Sequence, residues 1–363
     1  MSSPAPAAAP ADRAAPAPHP QRSAPPPRLR LASVASYLPL RVVTNADWAA
    51  LIDTSDEWIR TRTGIGTRHW AASDEATSDL AAKAGLLALD RAGLAPTDID
   101  LVLIATATPD SLCPTTACRV QALIGATNAA AMDVAAACSG FVYAMHVADG
   151  LVRAGLHQRI LVIGAETLSR FVNETDRASC VLFGDGAGAV VVGGEGPLEL
   201  LYTSVGADGA RGDMIEIQLG SRFTPTPESI AAKQHTLRLN GAETFKAAVR
   251  RMADEVRRGL DALGMTAHDL DWLVPHQANS RIVQAVQKEL GVREGVGVDD
   301  IERTANTSSA SIPLAIDNLL EKRLLRRGQT IALVAFGGGV TWGCQIWRVR
   351  DDAASERIDH EAA

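Results

Sequence analysis

The segment DVAAACSGF at 133–141 places a single thiol, Cys138, among small and mostly uncharged side chains. Free cysteine is usually a buried apolar residue, so a core role is the simplest interpretation. However, Ala137, Ser139 and Gly140 leave space beside the sulfur, and a helical pattern follows them. Because the unpaired N–H groups of a helix N-terminus favour the thiolate, we predict that Cys138 is a nucleophile.

Three further segments contain groups that complement a nucleophilic thiol. His276 follows an apolar run in LVPHQANSRI, Asn306 lies among small polar residues in NTSSASIP, and Gly337–Gly339 end another apolar run. A lone His or Asn is more often structural, as a satisfied ring or a turn residue. Together, however, a thiol, an imidazole, a carboxamide and accessible backbone N–H groups are the components of an acyl-transfer site.

The composition is that of a globular protein. The 363 residues are 47% hydrophobic and 21% charged, and no apolar run is long enough to span a bilayer. The net charge of -7 argues against a nucleic-acid binder but allows a local basic patch. Five cysteines without paired metal-type spacing argue against disulfides and zinc. We therefore expect a cytoplasmic protein without a metal site.

The chain divides into a central region and two tails. Residues 1–28 are rich in Pro and Ala and are predicted to be a disordered extension, with an organelle transit peptide as the minor alternative. Residues 351–363 form a short acidic tail. Between them, apolar runs alternate with helical patterns, which indicates an α/β fold. We predict a long helix at 242–263 and strands at 101–108, 159–167, 186–194, 271–276 and 330–338.

One internal similarity divides the central region into halves. GLAPTDIDLVLIA at 93–105 can be aligned with GMTAHDLDWLVPH at 264–276, with one Gly and two Asp at matching places. Each copy leads from a helical pattern into a predicted buried strand. The simplest interpretation is two related α/β halves, at 29–202 and 203–350, that meet at a central site.

Taken together, these segments resemble one family. DVAAACSGF, VPHQAN, NTSSASIP and AFGGGVTWG, in this order and spacing, resemble β-ketoacyl-acyl-carrier-protein synthase III of the thiolase superfamily. TSDEWIRTRTGI at 54–65 and FGDGAGAVV at 183–191 do so as well, and the resemblance covers about residues 29–348. It implies the five-layered αβαβα thiolase fold, with two pseudo-symmetric halves in each subunit of a homodimer.

The resemblance also implies a reaction. Cys138 would take an acyl group from acyl-CoA, and malonyl-acyl-carrier protein would then lose CO₂ and condense with it, which initiates fatty acid synthesis. His276 and Asn306 match the family's hydrogen-bond donors for the enolate, and the backbone N–H groups of Cys138 and Gly338 match its oxyanion hole. No metal or redox cofactor is expected, and the sequence has no dinucleotide-binding glycine fingerprint.

Six residues match the family's CoA channel, namely Thr54, Trp58, Arg62, Arg177, Gly241 and Phe245. An indole face and guanidinium groups suit an adenine nucleotide that carries phosphates, although a core anchor is the alternative for Trp58. Ala242 stands where the family often has Asn, so the family's polar contact to the pantetheine arm is not expected at this position.

The resemblance also implies a docking surface and an acyl pocket. An acidic carrier protein would be steered to residues near the mouth, which are Lys246, Arg250, Gln277, Arg281 and Lys288. For Arg250 and Lys288 a solvated helix face is the alternative. Cys113 and Leu168 match the acyl pocket, whose far end reaches across the dimer. Because Cys113 replaces the bulky aromatic of acetyl-specific members, we expect a deeper pocket for branched or medium-length acyl groups.

Three other functions are compatible with parts of the pattern. A synthase III-like enzyme of secondary metabolism could transfer the acyl group to another acceptor or join two acyl chains with the same catalytic motif. A papain-type hydrolase also uses Cys, His and Asn, but the glycine loop and the sequence around Cys138 argue against it. A non-catalytic acyl-binding scaffold would be expected to lack the nucleophile or His276.

Overall fold

The computed structural model describes residues 28–350. The predicted extension as far as residue 27 and the predicted tail at 351–363 therefore lie outside the described residues. Strands within residues 28–350 are β1 (Arg30–Tyr37), β2 (Arg41–Thr44), β3 (Thr67–Trp70), β4 (Leu101–Ala105), β5 (Ala130–Val134), β6 (Arg159–Glu166), β7 (Gly186–Gly193), β8 (Leu198–Ala207), β9 (Ile215–Ile217), β10 (Leu237–Leu239), β11 (Trp272–Pro275), β12 (Thr330–Gly337) and β13 (Thr341–Val349).

Helices connect most of these strands. Within the same residues they are α1 (Asn45–Ala49), α2 (Asp56–Thr63), α3 (Thr77–Ala92), α4 (Thr116–Ile124), α5 (Gly140–Ala154), α6 (Pro227–Ala231), α7 (Gly241–Ala262), α8 (Ser280–Leu290), α9 (Ile301–Thr304) and α10 (Ser311–Glu321). None of the helices between residues 28 and 350 is long and apolar enough to cross a membrane.

The predicted strands and the long helix are confirmed, as β4, β6, β7, β11, β12 and α7. In β6, Ile160 and Val162 pack into one hydrophobic core, whereas Leu161 and Ile163 pack into another on the opposite face of the sheet. Because both faces of such a strand are buried, its sequence is a continuous apolar run rather than an alternating one.

The two halves repeat one strand order. In the first half the strand order is β5-β4-β6-β7-β1. In the second half the order is β11-β12-β13-β8, and a short bridge between Gly297 and β11 takes the place of β5. β1 also pairs with β8, so these strands of the two halves join in one nine-stranded sheet, while β2–β3 and β9–β10 form two separate two-stranded sheets. β8 pairs with β13 from Leu198 onward, so the boundary expected between residues 202 and 203 falls inside this strand.

The aligned segments have equivalent structures. Gly93 and Gly264 follow α3 and α7 with φ angles of 68° and 67°, in the left-handed region that favours glycine. Asp98 and Asp269 each accept a hydrogen bond from a backbone N–H three residues earlier, at 2.8 and 2.7 Å. The internal repeat is therefore a repeat of structure as well as of sequence.

Five layers result from this arrangement. α3 and α4 cover the outer face of the first half's sheet, and α7 and α8 cover that of the second. α5 and α10 are buried between the parts of the nine-stranded sheet that belong to the two halves, in a core to which strands of both halves contribute. The expected five-layered α/β fold is confirmed.

α5 and α10 begin close together in the central layer. Each follows a 3-10 turn, Ala137–Ser139 and Ser308–Ala310, whose first residue has a φ of 45° or 49°. A Cβ on Gly164 of β6 would lie 2.4 Å from the Ser309 carbonyl oxygen, so glycine is required for this approach. The N-terminal ends of α5 and α10 therefore lie next to each other in the central layer.

Candidate active site

Cys138 lies in the turn before α5, at the N-terminal end of that helix as predicted. It is half-buried and lines an internal cavity, as does Gly338. A Cβ on Gly337 would lie 2.7 Å from the Cys138 backbone nitrogen, so a side chain here would displace one of the two segments. Gly337, at the end of β12, therefore allows the backbone to approach the nucleophile closely.

The thiol is protonated at neutral pH in this structure. Burial is the main cause that raises the pKa of Cys138 to about 11; a hydrogen bond with Ser308 acts in the opposite direction, and the nearby carboxyl of Glu166 adds to the increase. Burial also raises the pKa of Glu166 itself. Desolvation thus opposes the preference for the thiolate that is expected at a helix N-terminus.

His276 immediately follows β11 and is held at both its backbone and its ring. Its backbone N–H donates to the Val334 carbonyl at 2.8 Å, and its Nδ1 lies 2.6 Å from Ser311 Oγ. Burial lowers the pKa of His276 to about 4, so the imidazole is neutral at pH 7. Nε2 has no hydrogen-bond partner among the described residues, and His276 lines the same cavity as Cys138.

Asn306 lies between α9 and α10, and neighbouring backbone fixes its position. Its N–H donates to the Leu182 carbonyl at 2.9 Å, and its own carbonyl accepts from Gly184 at 3.0 Å. Its side-chain Oδ1 accepts from the Ser308 N–H at 2.9 Å. Because only the amide oxygen can accept that bond, Nδ2 is oriented away from Ser308 as an available donor.

One cavity of about 540 Å³ brings these three side chains together. Most of its wall is apolar, and both the short β9–β10 ribbon and α7 contribute lining residues. The ribbon contributes Ile215, Ile217, Leu237 and Leu239 to this wall, together with the carboxylate-bearing Glu216. The arrangement combines a thiol, two neutral polar side chains and a channel wide enough for an extended substrate.

Trp58 and Arg62 form part of one end of this cavity. Two guanidinium groups lie against the Trp58 indole, that of Arg177 at 4.3 Å and that of Arg62 at 5.9 Å from its ring centroid. Arg177 Nε and Thr54 Oγ1 are shielded from solvent and have no hydrogen-bond partner among the described residues. This end of the cavity is therefore cationic and aromatic, with polar groups that a ligand could satisfy.

The remaining expected channel residues are at the start of α7. Gly241 and Phe245 line the cavity, and so does Thr244, whose buried hydroxyl has no partner within residues 28–350. Ala242 is exposed. The structure thus brings five of the six expected CoA residues to the cavity or to the Trp58 indole, and Thr54 lies just before α2, which carries Trp58.

Four of the expected carrier contacts are exposed on two neighbouring helices. Lys246 and Arg250 are on α7, and Arg281 and Lys288 are on α8. Arg281 also lines the cavity, whereas Arg250 pairs with Asp254 at 3.8 Å. These positions are compatible with a docking surface beside the cavity mouth.

Gln277 does not belong to this surface. It is 1% exposed, and its Nε2 donates to the carbonyls of Pro275 and Val298 at 2.7 and 3.1 Å. Its Oε1 accepts from the Asp300 N–H at 2.8 Å. The expected carrier contact is therefore wrong, because every polar atom of this side chain is already used to join neighbouring backbone segments.

The two expected acyl-pocket residues differ in position. Leu168 is buried and lines the cavity. Cys113 is exposed in the loop between β4 and α4 and does not line the cavity of its own chain. Of these two residues, Leu168 is the one that lines the cavity of its own subunit.

Comparisons with known proteins agree with this geometry. Residues 132–209 match the family described as 3-oxoacyl-[acyl-carrier-protein (ACP)] synthase III, and residues 260–349 match its C-terminal part. A β-ketoacyl-[acyl-carrier-protein] synthase III of Xanthomonas campestris is 46% identical over 324 residues, which cover 88% of this chain and 98% of that protein. The chain belongs to the β-ketoacyl-acyl-carrier-protein synthase III family.

Solved structures extend the comparison for this synthase III family member. A 3-oxoacyl-[acyl-carrier-protein] synthase III from Aquifex aeolicus has a TM-score of 0.82 and 39% identity, and the match covers 88% of this chain and 99% of that one. The priming β-ketosynthase of the R1128 polyketide pathway has a TM-score of 0.83 and 34% identity, with 92% and 99% covered. The fold is thus shared with a 3-oxoacyl-[acyl-carrier-protein] synthase III and with a priming synthase of polyketide biosynthesis.

Sequence reasoning did not single out several residues that shape this synthase III site. Ser308 and Ser311 contact the nucleophile and the imidazole, and Glu166 accepts hydrogen bonds at 3.0 and 2.9 Å from Ala107 N and Thr108 Oγ1. The signal for the two serines was the run of small polar residues in NTSSASIP. Nothing local distinguishes Glu166, because its partners come from distant parts of the chain.

We expect alkylation of Cys138 by iodoacetamide to be slow at pH 7. Because a pKa of about 11 leaves the thiol protonated, the rate should rise about tenfold per pH unit between pH 7 and 10. Peptide-mapping mass spectrometry of quenched samples would follow Cys138 separately from the other cysteines. Ser308→Ala should slow the reaction further, since it removes the hydrogen bond that lowers the pKa. A plateau reached by pH 8 would contradict this account.

Proposed function

We propose that this chain catalyses the decarboxylative condensation of an acyl-CoA primer with malonyl-acyl-carrier protein, the initiating step of fatty acid synthesis. The observation that carries the proposal is the convergence of Cys138, His276 and Asn306 on one apolar cavity with a cationic, aromatic end. The product is a 3-ketoacyl-acyl-carrier protein two carbons longer than the primer.

In the first step, Cys138 Sγ attacks the thioester carbonyl carbon of the primer. The tetrahedral oxyanion is stabilised by the backbone N–H groups of Cys138 and Gly338, both of which line the cavity. The carbon–sulfur bond to CoA then breaks, and the proton of the Cys138 thiol leaves with the CoA sulfur. The acyl group remains as a thioester on the enzyme.

In the second step, malonyl-acyl-carrier protein loses CO₂ and its thioester becomes an enolate. His276 and Asn306 donate hydrogen bonds to the enolate oxygen, and each such donor is typically worth about 3–4 kcal/mol of barrier. The enolate carbon attacks the acyl carbonyl, and Cys138 leaves as the thiolate and takes up a proton. No electrons are transferred to or from an acceptor, so the proposed reaction needs no redox cofactor, and the two hydrogen-bond donors supply the enolate stabilisation that a metal ion would otherwise give.

The cationic, aromatic end of the cavity is the proposed entrance for CoA. The Trp58 indole suits an adenine ring, and Arg62 and Arg177 suit the phosphates. Gly241 and Phe245 line the stretch proposed for the pantetheine arm. Thr54 Oγ1 is an orphaned polar group that a bound nucleotide could satisfy.

The proposed carrier surface consists of Lys246, Arg250, Arg281 and Lys288. All four are exposed on α7 and α8, and Arg281 is also at the cavity wall. The chain as a whole carries a net charge of -7, so only a local basic surface can attract an acidic carrier. The alternative of a specialised enzyme in secondary metabolism is less well supported, since the 46% identical relative is a synthase III and the polyketide enzyme is 34% identical.

The proposed assembly is a homodimer joined along β5, in the cytoplasm. β5 is an edge strand, and Leu87, Leu112, Leu123 and Met132 around it are 44%, 91%, 55% and 39% exposed. An exposed edge strand flanked by large apolar side chains is a surface that a second chain can cover. Cys113, in the same region, would then complete the acyl pocket of the second subunit. The five unpaired cysteines fit a reducing compartment.

The two half-reactions should separate in single variants. His276→Ala and Asn306→Ala should still form the acyl adduct on Cys138 but lose about 10²–10³-fold in decarboxylation, because each removes one enolate donor. Cys138→Ala should form no adduct and yet retain decarboxylation. Intact mass after incubation with acyl-CoA and release of labelled CO₂ from malonyl carrier measure the two steps. An adduct on Cys138→Ala, or undiminished decarboxylation in both donor variants, would refute the assignment.

Replacement of Cys113 by Phe should narrow primer choice toward acetyl-CoA. The larger side chain shortens the proposed acyl pocket, whereas the control Cys113→Ser keeps it open. Competition among acyl-CoAs of increasing length and branching, read out as the mass of the adduct on Cys138, gives the chain-length profile. An unchanged profile in Cys113→Phe would rule out this position as the pocket's end.

Met132→Lys should convert the proposed dimer to a monomer. It places a charge on the edge strand, where pairing would bury it. The matched control is Leu156→Lys, which changes a 69% exposed leucine beyond the end of α5. Sedimentation velocity at several concentrations measures the assembly. A monomeric parent protein, or a dimeric Met132→Lys variant, would show that β5 is not the interface.

A further inference from the structure

Ser311 is the first residue of α10 and is 2% exposed. Its Oγ lies 2.6 Å from His276 Nδ1 and 3.3 Å from the Gln277 backbone nitrogen. These are the hydrogen bonds that the described residues provide to the hydroxyl. Ser311 comes from the helix beside the nucleophile's helix, whereas His276 comes from the end of β11, so the contact joins two separate elements of the site.

The direction of these bonds follows from the available protons. A backbone N–H can only donate, so the Ser311 oxygen accepts from Gln277. The Ser311 proton then has one acceptor, the bare Nδ1 of His276. If Nδ1 carried the ring proton instead, the buried hydroxyl would have no acceptor for its own proton, which is unfavourable. A neutral ring thus carries its proton on Nε2.

We infer that Ser311 is a positioning residue that fixes the Nε2–H tautomer of His276, so that the imidazole presents a donor to the enolate oxygen. Asn306 also presents a donor, because its Oδ1 accepts a hydrogen bond from the Ser308 N–H and its Nδ2 is available to donate. Both side chains then offer hydrogen bonds to a negative oxygen. The inference rests on the proposed function, which supplies that oxygen.

The assignment also defines what His276 does not do. A ring protonated on Nε2 and bonded through Nδ1 to Ser311 has no lone pair directed at Cys138. The thiol proton therefore leaves by another route, and loss of Ser311 should affect decarboxylation more than acylation. This difference separates a tautomer effect from a general loss of structure, which would reduce both steps.

The tautomer can be measured directly in the parent protein. Histidine labelled with ¹⁵N gives long-range correlation spectra that distinguish a protonated from a bare ring nitrogen, and comparison with His276→Gln assigns the signal among eight histidines. We expect protonated Nε2 and bare Nδ1. A bare Nε2 would overturn the inference whatever the variants show.

The variants test the consequence for catalysis. Ser311→Ala should yield a mixture of tautomers and slow decarboxylation of malonyl carrier by roughly 10- to 100-fold, as loss of a ligand-orienting contact typically does. Acylation of Cys138 should be preserved, and Ser311→Thr, which keeps the hydroxyl, should restore decarboxylation. Ser33→Ala is the matched control, because it removes another buried serine hydroxyl bond, to the Ala88 carbonyl, far from the site.

Two results of the variant series would contradict the inference. They are undiminished decarboxylation in Ser311→Ala, and equal loss of both half-reactions in Ser311→Ala and Ser311→Thr. Failure of the proposed function gives a different outcome, since the parent protein would then release no CO₂ from malonyl carrier while its His276 signal would still report the tautomer.

Discussion

The contact between the first turns of α5 and α10 determines where the chemistry can occur. The Ser309 hydroxyl oxygen lies 2.9 Å from both the Ala105 carbonyl and Glu166 Oε1, and Gly164 lets β6 approach the Ser309 backbone. A side chain at Gly164 would push the Ser309 turn away from β6, and Gly140 at the start of α5 lies against Ser309, since a Cβ there would be 3.6 Å from the Ser309 Cβ. Because Cys138 and Asn306 belong to the segments that lead into these helices, their proximity follows from close packing in the central layer.

The same packing makes the site neutral at rest. Desolvation raises the pKa of Cys138 and lowers that of His276, so neither carries a charge near pH 7. Charge is created only as the thioesters react, and it is created where oriented donors already lie. A low-polarity interior that opposes permanent charge is thus compatible with anionic intermediates, because those intermediates are solvated by fixed hydrogen bonds rather than by water.

Much of this architecture could be predicted from the sequence, because the strands and the repeat are each encoded by short, contiguous segments. Apolar runs predicted β4, β6, β7, β11 and β12, and the repeated Gly and Asp residues predicted the two halves. Gln277, the Cys138 pKa and the role of Ser311 could not be predicted. They depend on partners that are distant in sequence, such as Val298 for Gln277 and Glu166 for Cys138. A residue next to a catalytic residue in the sequence, such as Gln277 after His276, can therefore be buried and directed at neighbouring backbone rather than at the cavity.

The guanidinium group of Arg177 lies 4.3 Å from the centre of the Trp58 ring, a distance that leaves no space for a planar base between them. An adenine bound on this face, as proposed above, would therefore have to displace Arg177. Binding of the adenine would then replace the Arg177–Trp58 contact by an adenine–Trp58 contact, so the affinity for the nucleotide would depend on the difference in free energy between these two contacts. The displaced guanidinium would then be available to the phosphates, so the side chain that packs on the Trp58 ring would also contact the proposed ligand.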